Sequence, residues 1–238
     1  MEIKIQKALA QLGVASRRAS EQLIREGRVI VNGKPAQIGM RIDPERSYIR
    51  VDGRPVSEPT KRVYYLFYKP TGVVSTLSDP EGRRCLGDFV GAIKYRLFPV
   101  GRLDYNSEGL MLLTNDGDLA NRILHPSQKV PKTYHVKVSD EPTEKDIDRL
   151  RRGIRLEDGM TSPAKVNILK RTDHNTWLEF VLYEGRKRQI RRMVEAIGHR
   201  VLRLRRVGID GLYLEGLRPG ELRPLSQEEE LRLKRAVQ

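Results

Sequence analysis

The chain has 238 residues, with 45 Lys and Arg against 31 Asp and Glu, a formal net charge of +14. That excess favours a polyanionic partner, nucleic acid before an anionic membrane; no apolar run of roughly eighteen residues occurs, so no membrane partner is expected and a soluble, cytoplasmic protein is. A single cysteine, Cys85, excludes an internal disulfide and a thiolate metal cage, and is expected to fill a half-buried gap.

Residues 1–60 are expected to form a small domain of their own. Ile5, Ala8, Leu9 and Leu12 have helical spacing before Gly13, and Ser16 is placed to cap a second helix carrying Ala19, Leu23 and Ile24 to Gly27. Val29-Ile30-Val31 then meets Asn32-Gly33, a strong hairpin signal, and Ile49-Arg50-Val51 with Asp52-Gly53 repeats the form. Residues 57–62, Ser-Glu-Pro-Thr-Lys-Arg, read as a short polar linker.

Residues 61–238 are expected to form a larger second domain. It opens with the aromatic and β-branched run Val63–Tyr68, stopped by Lys69-Pro70. Further strands are expected at 110–114, 132–139, 163–171, 176–183, 201–207 and 212–215, several of them adjacent in sequence. Asp116 precedes Leu119, Ala120 and Ile123 at helical spacing, and Ser226-Gln227-Glu228-Glu229 reads as a capping box for a last helix. This is an α+β pattern: a small α/β module, then a larger domain with a mainly antiparallel mixed sheet and flanking helices.

Charge is not spread evenly. Residues 184–206 hold nine Arg and Lys against two Glu, while Ile190, Met193, Val194 and Ile197 mark one helix face as core. Such density suits phosphate contacts, which set affinity and register without reading sequence. Upstream, Gly101-Arg102-Leu103-Asp104 sets an acid on a glycine-flanked loop before the apolar run Leu110–Leu113. His125, His135, His174 and His199 lie far apart and no phosphate loop ends in Gly-Lys-Ser/Thr, so neither a metal, a nucleotide nor any other cofactor is expected.

Gly101–Gly117, Tyr68-Lys69-Pro70-x-Gly72, Lys132-Thr133-Tyr134 and Glu184–Met193 together resemble the bacterial ribosomal-RNA pseudouridine synthases of the small-subunit and large-subunit-B type. The matches fall in the family's order and span most of residues 64–210. The resemblance implies isomerisation of uridine to pseudouridine, with Asp104 as the essential carboxylate, Tyr134 as the aromatic stacked on the flipped uracil, Arg191 as the cation beside Asp104, and Leu204 packed under the base. Helix, turn, helix and small strands around Ser16-Arg17-Arg18-Ala19 are likewise similar to the S4-type RNA-binding module. RNA contacts are expected from Arg17, Arg18, Arg25, Arg28, Asn32 and Lys34 there, and from Arg102, Arg186, Lys187, Arg188 and Arg192 in the larger domain.

The implied partner is ribosomal RNA or a ribosomal-subunit assembly intermediate, bound by a monomer. The large-subunit branch, acting on 23S rRNA, is preferred for Gly13–Arg18 and Glu184–Met193; a 16S rRNA synthase shares the architecture. An RNA-binding ribosome-assembly factor without chemistry would use the same basic surface, but would not need Asp104, Tyr134 and Arg191 together. A DNA-binding regulator using the first helix pair leaves three quarters of the chain unexplained.

Overall fold

Ser16 caps its helix as the sequence requires: its Oγ accepts from the Ala19 N–H at 3.0 Å, and Gly13 just before it has a φ of +78°. The structure, a computed structural model, describes residues 1–56 and 61–235; of the expected linker, residues 57–60 lie outside the described residues. Two units emerge, Met1–Val63 with residues 94–96 and 115–117, and the remainder.

In the first unit α1 (Ile5–Gln11) and α2 (Arg17–Arg25) precede a four-stranded antiparallel sheet of β1 (Val29–Val31), β2 (Lys34–Pro35), β3 (Ile49–Val51) and β4 (Arg54–Val56), in the order β2-β1-β3-β4. Both hairpin turns place Asn or Asp and then Gly at positive φ, +50° and +81° at Asn32-Gly33 and +51° and +76° at Asp52-Gly53, the geometry that matches the strand twist. Ile5, Ala8, Leu9, Ile24, Val29, Val31 and Ile49 make the core. Ala19 departs from expectation. It is exposed, and the fully buried small residue of α2 is Ser20.

The second unit is built on β5 (Tyr64–Lys69), β6 (Phe98–Val100), β7 (Glu108–Thr114), β8 (Lys132–Ser139), β9 (Lys165–Thr172), β10 (Asn175–Leu182), β11 (Val201–Ile209) and β12 (Leu222–Pro224). Its sheet runs β9-β10-β8-β11-β7-β5-β12, with β6 paired to β7 and Leu212–Tyr213 paired to β11. The pairings are antiparallel except at one seam, where β11 meets β7 in parallel through Arg205↔Glu108 and Arg206↔Gly109. Gly109 is required there: its φ is +119°, and a Cβ would lie 2.2 Å from the Arg206 carbonyl oxygen.

Each side of the seam has its own core. Beyond β11, Val136, Val138, Leu178, Phe180 and Leu204 face Ile147 and Leu150 of α4 (Glu144–Arg152) and Ile190, Met193 and Val194 of α5 (Gln189–Glu195). On the other side Tyr64, Leu66, Leu110 and Leu112 pack with Leu119, Ala120 and Ile123 of α3 (Gly117–Leu124) and Leu233 of α6 (Gln227–Arg235). Full burial of each such side chain is worth about 1.5–3 kcal/mol. The capping box of α6 forms as expected: Glu229 N–H donates to Ser226 Oγ at 3.2 Å and Ser226 N–H donates to Glu229 Oε2 at 2.8 Å. Cys85 is a buried free thiol.

Candidate active site

The acid-bearing loop, residues 101–107, joins β6 to β7 and crosses the end of the seam. Four residues from two segments, the stretch 69–75 and α5, hold it. Ser75 Oγ donates to the Leu103 carbonyl at 2.6 Å and accepts from the Leu103 N–H at 3.1 Å. Gly72 N–H donates to the Tyr105 carbonyl at 2.9 Å. Arg191, from α5, donates to the Asn106 carbonyl at 3.1 Å. Lys69, at the end of β5 and wholly buried, donates to the carbonyls of Ser107 at 2.8 Å and Pro70 at 2.9 Å. Burial pushes the Lys69 ammonium down to about 8, against the pull of Asp104 and Glu108.

A loop tied at four places fixes its one free carboxylate. Asp104 is 35% exposed, and its carboxylate accepts no hydrogen bond from the described residues. Arg191 Nε and an Arg188 terminal nitrogen each stand 4.0 Å from its Oδ2. Burial and Arg188 push the Arg191 guanidinium down, while Asp104 pulls it up. Arg188 is presented by a left-handed backbone, φ +51°, just before α5. Its charge therefore faces the acid rather than following the helix.

Asp104 opens into a cleft of about 810 Å³, in the size range of small-ligand pockets. Tyr134 and Leu204 line the same cleft, with Leu182 and Ile190 completing an apolar floor and Arg102, Lys187 and Arg188 at its walls. Tyr134 sits half-buried opposite Arg206 of β11, beside a bulge of that strand at Val207; Leu204, 7% exposed, lies two residues along on the same face. Glu184 also lines the cleft but is taken up by Ser162 and Gln189, so an apolar floor, tyrosine rings, cationic walls and the uncommitted Asp104 suit a flat, anionic-backboned group taken out of its stack. Among the described residues no three His, Cys, Asp or Glu side chains gather as metal ligands, and no helix is long and apolar enough to cross a membrane.

The cations foreseen as RNA contacts divide by what they already hold. Arg102, Lys187 and Arg188 are exposed at the cleft. Arg186 also lines it, but its guanidinium donates to the carbonyls of Asp158, Gly159 and Met160, and Arg192 makes a bidentate pair with Asp158 at 2.9 and 3.0 Å. In the first unit Arg17, Arg18, Arg25 and Lys34 are exposed. Arg28 is held by Asp52 and Glu26, and Asn32 Oδ1 accepts from the Tyr48 N–H at 2.8 Å, a turn-fixing bond.

Three residues beside this site hold contacts that the sequence does not show. Lys69 lies in the Tyr-Lys-Pro match, which sets it near the site by resemblance but gives no sign of its ties to the acid-bearing loop; Ser75 carries no signal. Glu108, 5% exposed beneath the seam, accepts from Arg203 at 2.5 Å, Arg205 at 3.2 Å and the Tyr68 hydroxyl at 3.3 Å. Burial raises its carboxyl, yet the Arg203 hydrogen bond and both arginine charges outweigh that and hold it below the ordinary range.

Residues 63–196 match the family described as RNA pseudouridylate synthase, and residues 3–46 match the S4 domain. The cleft is thus that of an RNA-modifying isomerase. An uncharacterised RNA pseudouridine synthase of Aquifex aeolicus is 45% identical over 100% of this chain and 96% of its own. The ribosomal large subunit pseudouridine synthase B of Bacillus subtilis is 44% identical over 97% of this chain and 95% of its own. A crystal structure of a pseudouridylate synthase superposes with a TM-score of 0.71 at 30% identity, covering 97% of this chain and 99% of that one. The chain belongs to the RNA pseudouridylate synthase family.

Proposed function

We propose that this protein converts uridine to pseudouridine in large-subunit ribosomal RNA. The observation that carries the chemistry is Asp104, a lone carboxylate on a four-way-braced loop, facing a cleft that also holds Tyr134 and Leu204. The likeness to the B. subtilis large-subunit synthase over nearly the whole chain supports 23S rRNA over 16S rRNA as target.

In this reading the target nucleotide leaves its stack, at a cost of a few kcal/mol, and the uracil enters the cleft between Tyr134 and Leu204. Asp104 acts at the sugar as the glycosidic bond breaks, and Arg191 and Arg188, each 4.0 Å from its Oδ2, hold it in place. The detached uracil turns so that C5 replaces N1 at the sugar; the Tyr134 hydroxyl helps remove the C5 proton, and N1, released from the sugar, takes up a proton in its place. Nothing is oxidised and no group is acquired, so the isomerisation balances without cofactor or metal. Residues 1–60 grip structured RNA through Arg17, Arg18, Arg25 and Lys34, and residues 61–238 carry the chemistry. The protein works as a monomer in the cytoplasm, on ribosomal RNA or an assembling subunit.

Tritium release from 5-tritiated uridine in ribosomal RNA tests this, with the wild type and Asp104→Ala compared and neither metal nor nucleotide added. Release by the wild type alone is expected. Release by neither, on free RNA or assembly intermediates, would leave an RNA-binding assembly factor as the better reading. Primer extension after carbodiimide treatment then assigns the subunit: a lost stop in small-subunit RNA of a deletion strain, with large-subunit stops intact, would refute the 23S assignment.

A further inference from the structure

The cleft and the helices α4 and α5 occupy one face of the β9-β10-β8-β11 half-sheet. The opposite face has a different character. Its alternating side chains, Thr133, His135 and Lys137 on β8 and Asn175, Trp177, Glu179 and Val181 on β10, include none that is buried. The strand register sets them in cross-strand rows. Arg203, Lys137, Trp177 and Lys170 lie side by side across four strands, and Arg205, His135, Glu179 and Asn167 form the next row. Lys165 stands beyond, opposite Val181.

The first row therefore has three cations and an indole with no acid among them. Three strand spacings make it roughly 14 Å wide. Lys137 and Lys170 form no ion pair among the described residues. The face as a whole holds Arg203, Arg205, Lys137, Lys165 and Lys170, against Glu179 at its surface and Glu108 beneath it. A solvated sheet face does not need its only tryptophan set among lysines. A polyanion with flat bases does: the cations take backbone phosphates and the indole offers a stacking surface.

We propose that this helix-free face is a second RNA contact, holding substrate RNA away from the target nucleotide by phosphate pairing to Lys137 and Lys170 and by stacking on Trp177. The proposal rests on the RNA-modifying reading above and adds a surface to it. The cleft engages the reacting nucleotide, while this face holds flanking RNA that continues around the sheet. Affinity for long substrate thus exceeds what the cleft and the S4 domain supply.

Because Trp177 is the only tryptophan, its fluorescence reports on this face alone. The test is acrylamide quenching of the full-length protein with and without a saturating in vitro transcript of large-subunit ribosomal RNA, binding being verified by gel mobility. At least a twofold fall in the quenching constant is expected. The double variant Lys137→Glu/Lys170→Glu should bind the same transcript about tenfold more weakly, with a log–log salt slope flatter by about 1.5–2. A complex in which Trp177 stays equally accessible, or a double variant that binds as the wild type does, overturns the contact. If the double variant does not fold, the wild-type quenching decides by itself. Tritium release from the same preparation separates the two readings: turnover with an unprotected Trp177 sinks only the second contact, and protection without turnover upholds the contact and sinks the isomerase.

Discussion

Arg191 Nε stands 4.0 Å from Asp104 Oδ2, and it is buried with no hydrogen-bond partner of its own. The other two nitrogens of the same guanidinium are committed to the backbone, at Asn106 and Val201. One side chain thus ties the acid-bearing loop to the α5–β11 region and presents its remaining N–H to the acid. A charge pair at that distance orients the carboxylate without capping its lone pairs.

Arg191→Ala should lower the rate of tritium release by about 100-fold or more while RNA affinity stays within a few-fold, because the loss falls on the acid's position rather than on binding. Arg191→Lys should recover less than ~10% of the rate, since a point charge on a flexible stem cannot make the backbone ties and face Asp104 together. Single-turnover kinetics on one transcript check both. A lysine variant as fast as the wild type would show that charge alone is needed.

Lys69 predicts a pH dependence of stability. Its folded-state value, about 8, lies below the ordinary 10.5, so between those values the unfolded chain binds more protons than the folded one and stability rises with pH on its account. Below about pH 8 the cost of burying the charge is present in full; above it the cost is relieved. Denaturant unfolding of the wild type and Lys69→Met at pH 7.5 and 10.5 should show the difference moving in the wild type's favour by up to about 3 kcal/mol. No movement would mean that the ammonium is not desolvated.

Glu229 predicts the opposite edge. The Arg223 hydrogen bonds, helped by the Ser226 N–H and opposed by burial, hold its carboxyl down to about 2 from 4.5. Its contribution is therefore complete above about pH 4.5 and is lost as pH falls through 2. Glu229→Gln should cost about 1–2 kcal/mol at pH 7, allowing for solvent screening of a partly exposed pair, and almost nothing at pH 2. Urea melts at the two pH values measure it.

At the seam, Gly109→Ala should destabilise by more than about 3 kcal/mol or yield insoluble protein, since backbone and not a movable side chain blocks the Cβ. Gly185→Ala, with nothing within 4 Å of its Cβ, is the control and should stay within about 0.5 kcal/mol. Thermal unfolding of the pair is sufficient.

In the first unit, Arg17→Ala/Arg18→Ala should weaken RNA binding about tenfold and flatten the salt slope by about two, both side chains being exposed. Arg28→Ala should change the slope by less than about one, because its guanidinium is already bonded to Asp52 and Glu26. Equal effects from both variants would mean that RNA displaces the Arg28 pairs.

Much of this was legible in the sequence, for reasons local to each stretch. A Ser16 cap, the Asn32-Gly33 and Asp52-Gly53 turns and the Ser226–Glu229 capping box depend on residues within a few positions of one another, and all form. The Gly-Arg-Leu-Asp loop was legible as a motif, and Asp104, Tyr134 and Leu204 meet in one cleft. What stayed hidden depends on partners far along the chain. Arg186 and Arg192 read as free phosphate binders, yet Asp158 and the carbonyls beside it engage them. The resemblance sets Lys69 near the site, but its bond to the Ser107 carbonyl depends on a residue 38 positions away, and Ala19 and Ser20 exchange places because one residue of helix rotation decides which small side chain faces the core.

The strand order has a consequence for how this protein is made. Strand β11, residues 201–209, follows β5, β7, β8, β9 and β10 in the chain, yet it lies between β8 and β7 and is what joins them. A ribosome that has synthesised the first 200 residues has released the acid at position 104 and the tyrosine at position 134 on two half-sheets, each with an open edge and no ladder between them. Catalytic competence therefore arrives all at once and late in translation. A product truncated before that strand lacks the ladder that joins the two half-sheets and leaves their strand edges unpaired.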